Sequence, residues 1–354
     1  MSMRGVSPVI ATILMVMIAV GLVAFSYTFM LETGEGSKEQ SDVIMEGLSK
    51  HLSSCLKVES SLGSNIWLRN CGKGYITNDS LAVYVDGNPA KFALKDLDNL
   101  SNDLPYIGEF GSGEISITDH FLGRRKVKVN YKGTLMDSET LDFGKGMEFD
   151  GSNDYVDCGN DVSLNIIDAI TIEAWVKFDD LSSRSYLLSK GGYSVDGWYW
   201  RVQTDGSWSV CYNWAGSGSY PDSGINLPTG EWLHLVTVLD NIAPRVDFYK
   251  NGKWLAHTNP SQSFIGNVDR TLLIGKYPGV PHKGTIDEVR IYNRALSDDE
   301  IEHNFGSIYN PIKDGLVSWW SFDGDGCSVK DEIGNNTGSL KPTCPSDCPV
   351  RVDE

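Results

Sequence analysis

From Gly5 to Leu31 this 354-residue chain has no charged side chain. An apolar run of that length makes a helix of about 40 Å at about 1.5 Å per residue, longer than a bilayer core of about 30 Å. The start of the protein is therefore expected in a membrane. Basic residues are the next shortage: 30 Lys and Arg face 47 Asp and Glu, a formal charge of −17, and no basic cluster stands out. That excludes nucleic acid as a partner. Catalytic signatures are missing as well. There is no H-E-x-x-H pair, no phosphate-binding glycine loop and no Ser/His/Asp order, so the chain is not expected to be an enzyme. Helical periodicity is scarce after about residue 54. Short β-branched and aromatic runs separated by Gly, Asn and Asp take its place, which reads as all-β.

What is present begins with the N-terminus. The apolar run is about twice the 7–15 residues of a secretory signal peptide, and its end, AFSYTFMLETG, offers no clean cleavage site. The short basic MSMRG should stay in the cytoplasm, with everything after Glu32 outside. Pro8 suits the first turn of a helix that starts near Val6, because its missing N–H costs nothing there. The string RGVSPVIATILMVMIAVGLVAF resembles the N-terminus of archaeal type IV pilins, which carry class III signal peptides. The resemblance implies a leader of residues 1–5, removed by a prepilin peptidase between Gly5 and Val6. It also implies that helix 6–31 leaves the membrane and packs against identical or related subunits in a filament on the archaeal cell surface. Bacterial type IV pilins have Glu where this chain has Ile10, so their assembly mechanism does not carry over. A static membrane anchor is the rival reading.

The expected fold is a long N-terminal hydrophobic α-helix followed by all-β domains. Residues 32–54 open on a Gly-rich break and read as a linker. Residues 55–145 hold CLKVESS, NIWLRNCG, SLAVYVDG, EISITDH and RRKVKVNYKG, mostly with period-two alternation, and read as a small Ig-like β-sandwich acting as a spacer. Residues 146–310 contain GMEFDGSNDYVDCG, ITIEAWVKFDD, EWLHLVTVLD, VDFYKNGKWLA and GTIDEVRIYNRALSDDEIEHNF. In that order these strings resemble a LamG domain of the concanavalin-like family, which implies a two-sheet jelly roll. Asn251-Gly252 marks a hairpin, and Ser297 reads as the N-cap of a short closing helix. LamG domains of this type commonly open with a strand like GLVSWWSFDG and a turn like DEIGNNTGSL. Here both come last, so the tail, 311–354, either supplies a permuted strand, the favoured expectation, or begins a second copy of the domain that was lost.

Candidate sites follow from residue chemistry. Trp198, Tyr199, Trp200, Trp208, Tyr212, Trp214 and Tyr220 crowd one stretch rich in Gly, Ser and Asp. Aromatic faces stack on the C–H faces of sugars, so Trp214 and Tyr220, with Tyr212 and Trp198, are the expected glycan contacts. Asp150, Asn153 and Asp154 fall in one turn and could offer oxygens to calcium, and the LamG resemblance implies that Asp287 joins them. The resemblance to concanavalin-like hydrolases stops at a lone Glu173, where two carboxylates are required. Adjacent Asp287 and Glu288 should point to opposite faces of a strand. Outside the cell disulfides are the default. Cys55 and Cys71 flank a hairpin and should pair, and Cys327 should staple the tail to Cys344 or Cys348; an odd count of seven leaves one thiol over. Asn78, Asn99 and Asn335 head glycosylation sequons.

Overall fold

The strand Leu81–Val85 buries Leu81, Val83 and Val85 and half-exposes the residues between them. That period-two pattern builds two β-sandwiches in succession. The computed structural model describes residues 56–353 apart from 63–64, 72–74, 97–105, 108–111, 119, 133, 192–196, 215–216, 261–267, 278, 309 and 343–347. The apolar N-terminal segment with Gly5 and Val6, the linker, Cys55, Asn99 and Cys344 lie outside the described residues. Among the described residues no helix is long and apolar enough to cross a membrane.

The first sandwich pairs Leu56–Leu62, Asn65–Asn70, Ser112–Ile117 and Phe92–Asp96, in that order, into one sheet. Its second sheet runs Thr134–Asp142, Arg124–Tyr131, Leu81–Val85, Asn88–Ala90. Leu68, Ile107, Ile115, Val129 and Phe143 fill the space between. A three-residue link, Phe143 to Lys145, then enters the jelly roll. It is pinned there by the Lys145 N–H, which donates to Asp323 Oδ1 at 2.8 Å.

Two eight-stranded sheets make the jelly roll. The front sheet runs Lys253–Thr258, Arg245–Lys250, Leu233–Asp240, Ala169–Phe178, Lys283–Tyr292, Gly146–Asp150, Val350–Val352, with Leu316–Trp320 as its eighth strand beside Lys283–Tyr292. The back sheet runs Ser217–Ser219, Trp208–Trp214, Gly197–Val202, Ser185–Gly191, Leu272–Ile274, Tyr155–Asp157, Gly338–Lys341, Ser328–Val329. Ile172, Val176, Trp200, Trp208, Phe248 and Trp320 are among the side chains packed between the sheets. The helix α1, Asp298–Gly306, lies on the outside of the front sheet. Ser297 caps it through a reciprocal box with Glu300. Asn251 and Gly252 take φ of +52° and +74° at the hairpin tip, the conformation that selects Asn-Gly. A Cβ on Gly252 would meet Phe305 of α1 at 3.0 Å.

Strands from the tail join both sheets. Leu316–Trp320 pairs with the second half of Lys283–Tyr292, Val350–Val352 pairs with Gly146–Asp150, and Gly338–Lys341 pairs with Tyr155–Asp157. Asp331 organises the turn between the tail strands. Its Oδ1 accepts from the N–H groups of Trp319, Ile333 and Gly334 at 2.9, 3.2 and 3.0 Å, and its Oδ2 accepts from that of Asn336 at 3.1 Å. Removing one carboxylate leaves four backbone donors unanswered. Asp331→Ala is therefore expected to cost about 3 kcal/mol or more in urea unfolding. Asp325→Ala, which breaks only an exposed pair with Lys145, should cost less than about 1 kcal/mol.

Candidate functional site

Strand alternation decides which of the crowded aromatics can meet a ligand. Trp198, Trp200, Trp208 and Tyr212 all point between the sheets and are buried. Trp200 and Trp208 both donate through Nε1 to Thr237 Oγ1, at 2.8 and 3.3 Å. Trp198 and Tyr212 are therefore core residues, correcting their assignment as glycan contacts. Tyr220 is 45% exposed beyond the sheet edge, and the side chain of Trp214 lies outside the description.

The opposite parity builds a different aromatic surface, on the outer face of the back sheet. Tyr186 stacks on Tyr277 with ring centroids 4.7 Å apart, and Tyr199 closes the group at 5.3 and 5.0 Å. The Arg201 guanidinium lies over Tyr199 at 5.5 Å and the Lys276 ammonium over Tyr155 at 4.1 Å. Tyr155, Lys276 and Tyr277 keep part of their surface open to water. The period-two pattern held this signal, but counting aromatics by density favoured the residues of the wrong parity.

The calcium set does not assemble. Asp150 Oδ1 accepts from the Ser152 N–H at 2.7 Å, and Asp154 Oδ2 accepts from the Asp150 N–H at 3.1 Å, so the turn closes on its own backbone. Asp150 sits opposite Lys283 in the ladder, which puts Asp287 four residues, about 13 Å, further along the strand. Among the described residues no group of three or more His, Cys, Asp or Glu is placed to hold a metal. The tail staple is corrected too: Cys327 carries a free, exposed thiol. Its carbonyl accepts from the Leu340 N–H at 3.1 Å, which holds it beside that strand. Cys71 and Cys348 each belong to a disulfide. Asn78 and Asn335 are exposed.

A buried ionic network occupies the outer face of the front sheet. Arg290 Nη1 donates to Glu173 Oε1 at 2.7 Å, and its Nη2 donates to both the Glu288 carboxylate and the Ile308 carbonyl. Asn304 of α1 donates to both Glu173 oxygens, at 3.1 and 3.0 Å, and Trp319 Nε1 donates to Glu288 at 2.7 Å. Glu173 is thus locked in an ion pair. Glu288 has φ +52° at a β-bulge where the strand exchanges one neighbour for another. The bulge overturns the expected alternation, because Asp287 and Glu288 both turn toward the network. Asp287 Oδ2 lies 3.0 Å from Nε2 of His120, which the first sandwich supplies.

Burial shifts these groups in opposite directions. His120, His234 and His282 are lowered to about 3, 4 and 3, desolvation being the main cause. Unfolded, each titrates near 6.5. As pH falls below 6.5 the unfolded chain takes up protons that the folded chain refuses, and stability falls. Glu288, raised to about 7 mainly by burial, acts in reverse, contributing stability below about 4.5 that is lost as pH rises through 7. Burial also holds the Asp287 carboxyl well above its ordinary range, so it acts in the same sense as Glu288. Three histidines outnumber two acids between pH 4.5 and 6.5. The urea midpoint is expected to drop as pH falls from 6.5 to 4, and a flat midpoint over that window would contradict this account.

Residues 150–302 match the family model described as the concanavalin A-like lectin/glucanases superfamily, Laminin_G_3. No match was found among curated proteins. Solved structures similar to the chain include a Bacteroides ovatus protein thought to bind carbohydrate (15% identity, TM-score 0.44, covering 84% of this chain and 92% of that one). They also include a heptameric SAP-like pentraxin from Limulus polyphemus (16% identity, TM-score 0.40, covering 55% and 95%). A third is the Ruminococcus gnavus IT-sialidase CBM40 bound to α2,3-sialyllactose (20% identity, TM-score 0.38, covering 46% and 96%). The two-sheet order of the jelly roll and the family match concern the same stretch: residues 150–302 are similar to a concanavalin A-like domain of the laminin G type.

Proposed function

We propose that this protein displays its jelly roll outside the cell as a glycan-binding, lectin-like module. We further propose that its N-terminal segment belongs to an archaeal type IV pilin-like filament subunit. The observation that carries the first part is the outer face of the back sheet. There the partly open rings of Tyr155 and Tyr277 stand beside Lys276 and Arg201. Partly open aromatic rings beside cationic donors suit the C–H face and hydroxyls of a sugar. The family match of the domain to lectins and glucanases supports the same reading. The proposed activity is binding without turnover, a reading supported by the pairing of Glu173 with Arg290 inside the fold.

The second part is supported by RGVSPVIATILMV and the uncharged run that follows. Processing by a prepilin peptidase would free the helix to pack against other subunits. The same residues, left uncut, would anchor a lectin-like surface protein that never polymerises.

Two measurements test the two parts separately. Mass spectrometry of protein made in cells with a prepilin peptidase is expected to find a chain starting at Val6, whereas a start at Met1 would mean a static anchor. On a glycan array, Tyr155→Ala combined with Tyr277→Ala is expected to lower retention about tenfold or more. Unchanged retention would reject this face as the binding surface.

A further inference from the structure

Lys190 stands near the end of the strand Ser185–Gly191, and among the described residues no other lysine is buried. Its Nζ donates to Asn160 Oδ1 at 2.7 Å and to the Arg270 carbonyl at 2.6 Å. Asn160 Nδ2 in turn donates to Asp269 Oδ1 at 2.5 Å. The ladder of the back sheet sets this meeting. Cys158 donates to the Leu272 carbonyl at 2.9 Å and Leu272 to the Gly159 carbonyl at 2.8 Å, which brings residue 160 back past Asp269 and Arg270. Lys190 lies opposite Leu272 from the other side.

An amine, a carboxamide and a carboxylate joined in this order can carry out a transamidation. A lysine is a nucleophile only as the neutral amine, which desolvation favours. Burial pushes the Lys190 ammonium down to about 8, against the pull of the Asp269 carboxylate. The amide carbon is within reach: with a C=O bond of about 1.23 Å, Asn160 Cγ lies at most about 4 Å from Nζ. Two groups held this close by the fold need no bimolecular encounter. Asp269 sits on the nitrogen that would have to leave, where a carboxylate can deliver a proton. Asn160 and Asp269 are open to water, which gives a small product an exit.

We infer that Lys190 and Asn160 join in an intramolecular isopeptide bond, with Asp269 as the proton carrier. The Nζ lone pair bonds to Cγ, the carbonyl pair moves onto Oδ1 and returns, and the Cγ–Nδ2 bond breaks with its electrons on nitrogen. The proton that Nζ gives up passes through the Asp269 carboxylate to Nδ2, which departs as ammonia. Nothing is oxidised or reduced. The bond spans 30 residues of sequence and ties the exit of Tyr155–Asp157 to Ser185–Gly191 across the strand Leu272–Ile274 between them. It is independent of both glycan binding and filament assembly.

The test is peptide mass mapping of the full-length chain, extracted in detergent and shown to unfold cooperatively in urea, then reduced, unfolded and digested with trypsin. The expected product is a joined pair of peptides holding Asn160 and Lys190. It should be uncut at Lys190 and lighter than the sum of its parts by the mass of one ammonia. Lys190→Met, an unbranched side chain with no amine, should abolish the pair. Asp269→Asn, at an exposed position, should lower the linked fraction about tenfold or more at equal times after synthesis. Recovery of Asn160 and Lys190 in separate peptides of full mass from the wild-type chain overturns the inference, and that result depends on no variant folding. A pair that forms equally fast in Asp269→Asn overturns the part given to Asp269.

Discussion

A guanidinium with no exposed surface lies in the middle of the front sheet, and the chain around it is arranged to answer its charge. Arg290 could not remain ionised there without Glu173 opposite it in the ladder, Glu288 on the bulge and the Ile308 carbonyl above. Each partner in turn fixes something larger. Glu173 holds Asn304 and hence α1. Glu288 holds Trp319 and hence the tail strand. The bulge that presents Glu288 also turns Asp287 toward His120, which ties the first sandwich to the second. The covered outer face is a condition of this arrangement, because water would weaken every contact in it.

Sheet alternation and turn chemistry were open to reading in the residues themselves. Asn251-Gly252 demanded a hairpin and Ser297 with Glu300 demanded a helix start, and both depend only on neighbours a few residues apart. The resemblance of residues 146–310 to a laminin G domain gave the jelly roll. The direction of each face was harder. GWYWRV and WSVCYNW alternate faultlessly, yet alternation alone does not say which parity points inward. Both parities are aromatic here, so hydrophobicity could not choose between them. Asp287 and Glu288 illustrate a second limit, since a bulge is set by ladder partners distant in sequence. His120 shows a third. It is one polar residue at the end of a strand in another sandwich, and only the docking of that sandwich onto Trp175 and Trp232 gives it a role.

The two faces of the jelly roll are therefore used differently. The front sheet spends its outer face on docking, with α1, the tail and the first sandwich all resting on it. The back sheet keeps its outer face for tyrosines and cations. Contacts with the rest of the chain and the partly open tyrosines thus occupy opposite sheets.

The pairing of Gly146 with Val352 and of Val156 with Leu340 also has a meaning in time. The first strands of the jelly roll wait for the last residues of the chain before either sheet can close. During synthesis the first sandwich can complete itself as soon as residue 143 has emerged. The jelly roll must instead be held open, unpaired strand edges included, until almost the whole chain has been made. Long-range closure of this kind is slow and exposes edges that aggregate.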